Sequence, residues 1–577
     1  MRDKSGLSKS TTFLLFLIIV ASLTVGFSTF EVTASPNSSY YYRFTVDREG
    51  ATTTVINFQS DSSGSSWVIV PKDWNSTPNI ISGTITPSSL VDTKEVVGES
   101  QYFYEAYQFT YKSSSTSVIF NMTIKFSMDT GALIIDQRGI FFSPQIGFDY
   151  PSSSGTAEVF FDSSLTVNSE NAIGIWERYQ PTYESGTIQP TPPVDAHRVF
   201  FRLREKLHRL QIEFTTNLST EYTTLQSVNK VFTFNAVERY ATYASSILSL
   251  YDRIYNNFTR LFNVTLTPPV GVQFFLPNFD EFLSVGGFTP FSTAGAGKIN
   301  INIFFIRAVN GTIEVIAAHE LVHHFLIESG LSPNDFLWFH EGMAQYVSVT
   351  LVERLGYEGA VHEKNNLDQG ASQLIQLYGE RNLGFVQNWN PSASPANVEN
   401  YYVAAYYVVS RLAQDYGGLD FYQRFFELIH ADDVDINDID ILAAYLGEAA
   451  NADVALVLYE WGFNVIISPE IKDKIDETQK AIAAVSPVFQ PYKSLAEFFY
   501  KQALLSFKRR DTAGGSNLLQ LAIIIADLAP LLTLLTIAAI LGIIVYALHR
   551  HGEKARLKPA APTVPPPPPE IFPDGAQ

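Results

Sequence analysis

The sequence predicts a multidomain membrane protein: an N-terminal β-sandwich-like domain, an α+β domain whose C-terminal part is mostly helical, and one C-terminal transmembrane helix. Three observations predict it. From about Tyr40 to Phe214, short runs rich in Val, Ile, Phe, Tyr and Thr alternate with Ser/Gly/Asn/Pro turns such as Asp61-Ser62-Ser63-Gly64 and Asp129-Thr130-Gly131, the pattern of an antiparallel sandwich. After about Lys230 the apolar period becomes helical, as in Val237 to Phe262. Leu528 to Leu548 carries no charge over 21 residues, enough for about 30 Å of helix at about 1.5 Å per residue.

These shifts set the expected organisation: residues 1–34 a signal peptide or N-terminal anchor, 35–227 a β-rich domain, 228–508 the α+β domain with its helical C-terminal subdomain, 517–548 the transmembrane region and 549–577 a cytoplasmic tail. At 577 residues the chain exceeds the size at which one hydrophobic core keeps growing. Hydrophobic residues make up 46%, aromatics 14% and charged residues only 17%, which excludes a largely disordered chain. With 39 Lys+Arg against 58 Asp+Glu the net charge is −19, and a nucleic-acid partner is set aside because phosphate binding relies on Lys and Arg. There is no cysteine, so any metal site must use His and carboxylate.

At the N-terminus an apolar run, Phe13 to Val25, follows Arg2, Lys4 and Lys9, and Val32-Thr33-Ala34 offers a small-residue cleavage site. Whether this is a cleaved signal peptide or a retained anchor, the chain after Ala34 is expected outside the cytoplasm. The basic flank Arg550, Lys554, Arg556 and Lys558 suits a cytoplasmic tail, with Lys508, Arg509 and Arg510 narrowing the bias. Seven Asn-x-Ser/Thr sequons, at Asn37, Asn75, Asn121, Asn217, Asn257, Asn263 and Asn310, all fall in the outward segment, as in a cell-surface glycoprotein. Gln189-Pro190-Thr191-Pro192-Pro193 marks a loop or seam. Helical periods follow at Val398 to Tyr416, Phe421 to His430 and, with a break at Pro487 to Pro491, Ile471 to Lys508. Pro565 to Pro569 in the tail is either a spacer or a docking strip for a proline-reading partner.

The chemistry sits in Ala317-Ala318-His319-Glu320-Leu321-Val322-His323-His324-Phe325. Two imidazoles four residues apart project from one helix face, so both can bind a single Zn²⁺ at roughly 2.0–2.1 Å, with Glu320 beside the open position. A third ligand is required, and Glu341, 18 positions after His323 in Trp338-Phe339-His340-Glu341-Gly342-Met343-Ala344-Gln345-Tyr346, can supply it from a second helix. His324 and His340 adjoin the ligands and point elsewhere on a regular helix, as supporting or packing residues. Gln345 either hydrogen-bonds a ligand histidine or faces solvent.

His-Glu-x-x-His followed by Glu-Gly-x-Ala after an aromatic residue resembles the gluzincin peptidases, particularly the aminopeptidase N-like group, over about Val270 to Gly417. The resemblance implies a thermolysin-like α+β zinc peptidase domain with one zinc per chain. In it His319, His323 and Glu341 match the metal ligands, Glu320 matches the general base, and Tyr402 matches the tyrosine that stabilises the oxyanion. Leu412 lies ten residues after Tyr402 and Tyr416-Gly417 closes the helix, but Ala404-Ala405 replaces the usual Lys-Gly, and Tyr401, Tyr406 and Tyr407 compete. The spacing to the third ligand is one residue shorter than in most of that group. The Gly-x-Met-Glu-Asn amine anchor is missing, with no Asp or Glu between Glu281 and Glu314, so cleavage within chains is expected.

Peptide hydrolysis would then use zinc-activated water, with Glu320 passing its proton to the leaving amine. Lys298 to Ile303 alternates apolar and polar residues and is either the edge strand that receives an extended substrate or an ordinary internal strand. The alternative function is a degenerate cell-surface binding or coat-associated protein that keeps the zinc domain as a relic.

Overall fold

The computed structural model describes residues 37–556 except 73–75, 115–117, 193, 280–284, 293–294, 308–309, 391–394, 396 and 509–510. The N-terminal leader, Asn75, Pro193, Arg509 and Arg510, and the proline-rich tail lie outside the described residues. The chain divides into two compact units, one of residues 1–333, 338–372 and 398–411 and the other of 334–337, 373–397 and 412–577.

The first unit opens with the β-rich region. One six-stranded sheet runs in the order Arg198–Leu203, Ser153–Phe161, Ser38–Val46, Thr52–Ser60, Phe120–Met128 and Asn79–Ser82, and a second includes Glu184–Ile188, Leu165–Arg178, Leu207–Thr216, Arg138–Phe142 and Ala132–Ile135. The expected antiparallel pattern holds except where Ser38–Val46 pairs parallel with Ser153–Phe161. Alternate residues of Ser38–Val46 point inward: Tyr40, Tyr42, Phe44 and Val46 are each at most 1% exposed. Phe44 meets Phe141 and Phe161 meets Phe214 from sheet to sheet, with ring centroids 5.6 and 5.2 Å apart, so aromatic burial at about 25 cal/mol per Å² supplies much of this core.

The same unit continues into a five-stranded sheet, ordered Tyr222–Gln226, Phe232–Val237, Val270–Phe275, Ile299–Asn302 and Gly287–Phe288. The three central strands are parallel and the outer two antiparallel to their neighbours. Helix Ala241–Phe262 links the first parallel pair and buries Ile247, Tyr251, Ile254, Phe258 and Phe262 along one stripe. Ile299–Asn302 is therefore an internal strand, with Val270–Phe275 on one side and Gly287–Phe288 on the other. The edge belongs to Gly287–Phe288, too short and glycine-rich to show any period.

The second unit is helical: Leu419–Ala431, Ile439–Ala450, Val454–Glu460, Pro469–Ala484, Gln490–Lys508 and Thr512–Arg556. The last of these is the one helix among the described residues long and apolar enough to cross a membrane. It changes character along its length. Leu519, Ala522, Ala526 and Ala529 are buried at helical spacing, whereas Leu531, Leu534, Leu535, Ile540, Leu541, Ile543 and Leu548 are exposed, and Pro530 sits at the change.

Candidate metal centre

Helix Thr312–Glu328, the histidine helix, starts at Gly311, whose φ of 119° suits only glycine. The Glu314 carboxylate accepts the Gly311 N–H at 2.7 Å. Nearly all its faces are buried, including Val315, Ala317, Ala318, Leu321, Val322, Phe325 and Leu326, as for a helix inside a core. Phe325 stands among Tyr255, Phe258 and Phe262 at centroid distances of 5.9, 5.3 and 5.5 Å. The Tyr251 hydroxyl donates to the Ala317 carbonyl at 3.0 Å. This packing leaves one short polar face, that of His319 and His323.

The second helix, within Pro333–Arg354, carries Glu341 toward that face. Its Oε2 lies 3.2 Å from His319 Nε2 and 3.8 Å from His323 Nε2, and ligand atoms of all three residues lie within 4.8 Å of one another. Ligand atoms around a tetrahedral zinc at about 2.0–2.1 Å stand about 3.3 Å apart. The donor set therefore fits such an ion: two imidazole nitrogens and one carboxylate oxygen, converging with little solvent access.

The electrostatics set the two histidines apart. Burial drives His323 down to about 3 and so keeps it neutral, the ligating form. At His319 burial also opposes the charge, but the Glu341 carboxylate overcomes it and the imidazole is raised. Glu341 is itself held low, its burial outweighed by the two histidines.

Glu320 is 4% exposed, and burial pushes its carboxyl up to about 7, with Glu341 adding to the rise and His319 opposing it. The Thr289 hydroxyl donates to Glu320 Oε2 at 3.0 Å. A Cβ on Gly287 would stand 2.9 Å from Glu320 Oε1, so the edge strand can press against this carboxylate only because residue 287 has no side chain.

Tyr402, on helix Val398–Tyr416, lines a cleft of about 340 Å³ together with His319, Glu320, Gly286, Gly287, Gln345 and Glu363. Its phenol is raised, first by the charge of Glu341, then by burial and by Glu320, so it stays a protonated donor. The helix comes this near because Gly342 lacks a side chain: a Cβ there would lie 2.5 Å from the Ala405 carbonyl oxygen and 2.6 Å from Val409. Ala404 and Ala405 are both fully buried. Tyr406 is spoken for, its hydroxyl donating to Asp368 at 2.7 Å.

The neighbouring polar residues sort themselves by contact. His340 is fully buried, its Nε2 lies 3.1 Å from the Leu331 carbonyl, and its ring stacks on His323 at 5.8 Å. It supports a ligand ring rather than adding one. His324 lines a separate cavity with Lys298 and Glu328. Gln345 faces the cleft, and its buried Oε1 has no partner among the described residues, so this oxygen is not bonded to a ligand histidine. Thr289, Gly287 and Glu363 escaped the sequence reading, since none belongs to a spaced motif and all three reach the site through tertiary packing.

No protein-family model matches the chain, and no curated protein sequence matches it. Among solved structures, that of native yeast LTA4 hydrolase is similar at 12% identity, covering 85% of this chain and 86% of that chain, with a TM-score of 0.30. A likeness this slight supports no conclusion about function.

Proposed function

We propose that the chain is a zinc-dependent peptidase anchored in a membrane by its C-terminal helix, with its catalytic centre outside the cell. The observation that carries this is the convergence of His319, His323 and Glu341 at 3.2 and 3.8 Å beside a buried Glu320 and within a cleft shared with Tyr402. His319, His323 and Glu341 would hold the ion, which when bound supplies Lewis acidity and lowers the pKa of a coordinated water toward neutrality.

The remaining steps belong to the chain's own groups. Glu320, held by Thr289 at 3.0 Å, takes a proton from the attacking water and delivers it to the leaving amine. The Tyr402 phenol donates to the oxygen that gains charge as the peptide carbonyl is attacked. The Gly287–Phe288 edge, which lines the cleft in part, aligns an extended peptide by main-chain hydrogen bonds. Outward topology is supported by the basic residues ahead of the N-terminal apolar run and by the sequons; Asn37, Asn217, Asn257, Asn263 and Asn310 are all exposed.

The test is to purify the full chain in detergent, remove metal with a chelator, restore zinc, and map cleavage of a mixed peptide library by mass spectrometry at each stage. Cleavage that disappears with metal and returns with zinc supports the proposal. A fully zinc-loaded protein that cleaves nothing would favour the degenerate binding protein instead.

A further inference from the structure

The cleft beside the three converging ligand residues holds a carboxylate that the chemistry above does not use. Glu363, on helix Glu358–Tyr378, lines it one turn before Leu367. Its flanking residues are committed elsewhere: His362 lies flat on Tyr102 with centroids 3.8 Å apart, and Lys364 pairs with Glu353 at 2.6 Å. Glu363 itself has no hydrogen-bond or ion-pair partner among the described residues, and burial alone raises its carboxyl. A half-buried carboxylate without a partner is costly to hold.

The rest of the lining is complementary to a cation. Among the described residues no Lys or Arg lines it; Val285, Val315, Ile316, Val349 and Leu367 make an apolar wall, and Glu320 and Glu363 are its acidic groups. The Oε1 of Gln345 is a second buried acceptor without a donor. Two acceptors lacking donors among the described residues, beside an apolar wall, match a group that carries only donors and a positive charge.

We propose that Glu363, assisted by the Oε1 of Gln345, binds a positively charged nitrogen of the substrate and so sets its specificity. The proposal rests on the peptidase reading for the word substrate. The nitrogen is an ammonium or guanidinium, and on a peptide it comes from the free N-terminus or from a Lys or Arg side chain. Either source would select substrates without the acidic anchor motif that the chain lacks.

Binding can be read apart from turnover in Glu320→Gln protein, full length in detergent. The probes are a norleucine-containing hexapeptide with a free N-terminus, its N-acetylated form, and acetylated forms with Lys replacing norleucine at each position in turn. Calorimetry on Glu320→Gln and on the Glu320→Gln/Glu363→Gln double variant is the readout, with melting temperatures to show that both fold. At least one cationic peptide should bind the single variant about ten to a hundred times more tightly than the acetylated norleucine peptide, the range for hydrogen bonds to charged groups, and lose that advantage in the double variant. The free-amine and Lys arms tell the two sources apart. Equal binding of charged and neutral peptides by the single variant, or an advantage that survives Glu363→Gln, overturns the proposal. Wild-type cleavage of the same peptides is measured separately, so a failure of the peptidase reading leaves the binding result to decide this one.

Discussion

Gly342 passes so close to Ala405 that a Cβ added to it would stand 2.5 Å from the Ala405 carbonyl oxygen. The contact couples the helix bearing Glu341 to the helix bearing Tyr402. Gly342→Ala should therefore cost about 1–3 kcal/mol by overpacking and lower the melting temperature of the purified protein. Because the displaced helices carry functional groups, activity should fall further than the remaining folded fraction explains. A Gly342→Ala protein with parental melting temperature and turnover would show that the crossing tolerates the methyl group.

Removal of single ligands should separate metal binding from catalysis. His319→Ala, His323→Ala or Glu341→Ala should lose zinc as measured by elemental analysis, whereas Glu320→Gln should keep it and lose about 10²- to 10⁴-fold in kcat, the range for a general acid–base group. Thr289→Val should cause a smaller loss, since it removes only the 3.0 Å hydrogen bond that orients Glu320. Full zinc occupancy in His319→Ala would sink the assignment.

Two tyrosines one turn apart should behave differently. Tyr402→Phe should lower kcat by about 10²- to 10³-fold with little change in KM, as loss of an oxyanion donor does. Tyr406→Phe breaks a bond to Asp368 and should reduce stability by about 1 kcal/mol while leaving kcat near the parent. The reverse result would assign the donor to Tyr406.

Acid should weaken the β-rich region through His208. This imidazole is 1% exposed and stacks near Phe148 at 6.4 Å, and burial lowers it from 6.5 to about 3. The unfolded chain binds its proton near pH 6.5 and the folded chain does not, so the stabilising contribution is whole above about pH 6.5 and drains away as the pH falls toward about 3. Urea unfolding at pH 7 and pH 4.5 should show parent stability falling more than that of His208→Leu. Equal losses in both proteins would remove His208 from the account.

The anchor should be separable from the fold. A chain ended after Ala529 keeps Leu519, Ala522, Ala526 and Ala529, the buried face of the last helix, and discards the exposed apolar stretch beyond Pro530. It should be released from membranes and remain folded by circular dichroism. Continued resistance to carbonate extraction would move the anchor elsewhere.

Much of the centre could be read from the chain because its key residues are local. His319, Glu320 and His323 share one helix, where periodicity alone dictates which side chains meet. Glu341 was a candidate only because a third ligand is required, and Tyr402 needed a family resemblance, since both lie on other helices. Glu363 and Thr289 were illegible: a carboxylate becomes part of a cleft only when its helix packs, and nothing in the linear order marks that event. Lys298 to Ile303, left open in sequence between an edge and an internal strand, is internal for a related reason. Lys298 to Ile303 alternates like a half-buried strand, yet Asn300 and Asn302 are 5% and 0% exposed. Asn300 is bonded to the Phe288 and Lys298 carbonyls and Asn302 to that of Val285. Polar residues that satisfy neighbouring backbone mimic a solvent face in sequence.

The last helix runs without interruption from Thr512 to Arg556, half packed and half bare. An anchor joined by a flexible linker would let the helical unit wander over a range of heights above the lipid. Under the proposed anchoring, a single rod that is both part of the packed unit and the span would permit no such wandering, and its insertion depth would set the elevation of that unit. Lengthening or shortening the bare stretch by a few residues, at about 1.5 Å each, would then raise, lower and turn the unit together, about 100° per residue, and membrane thickness would become a setting on what the protein can reach.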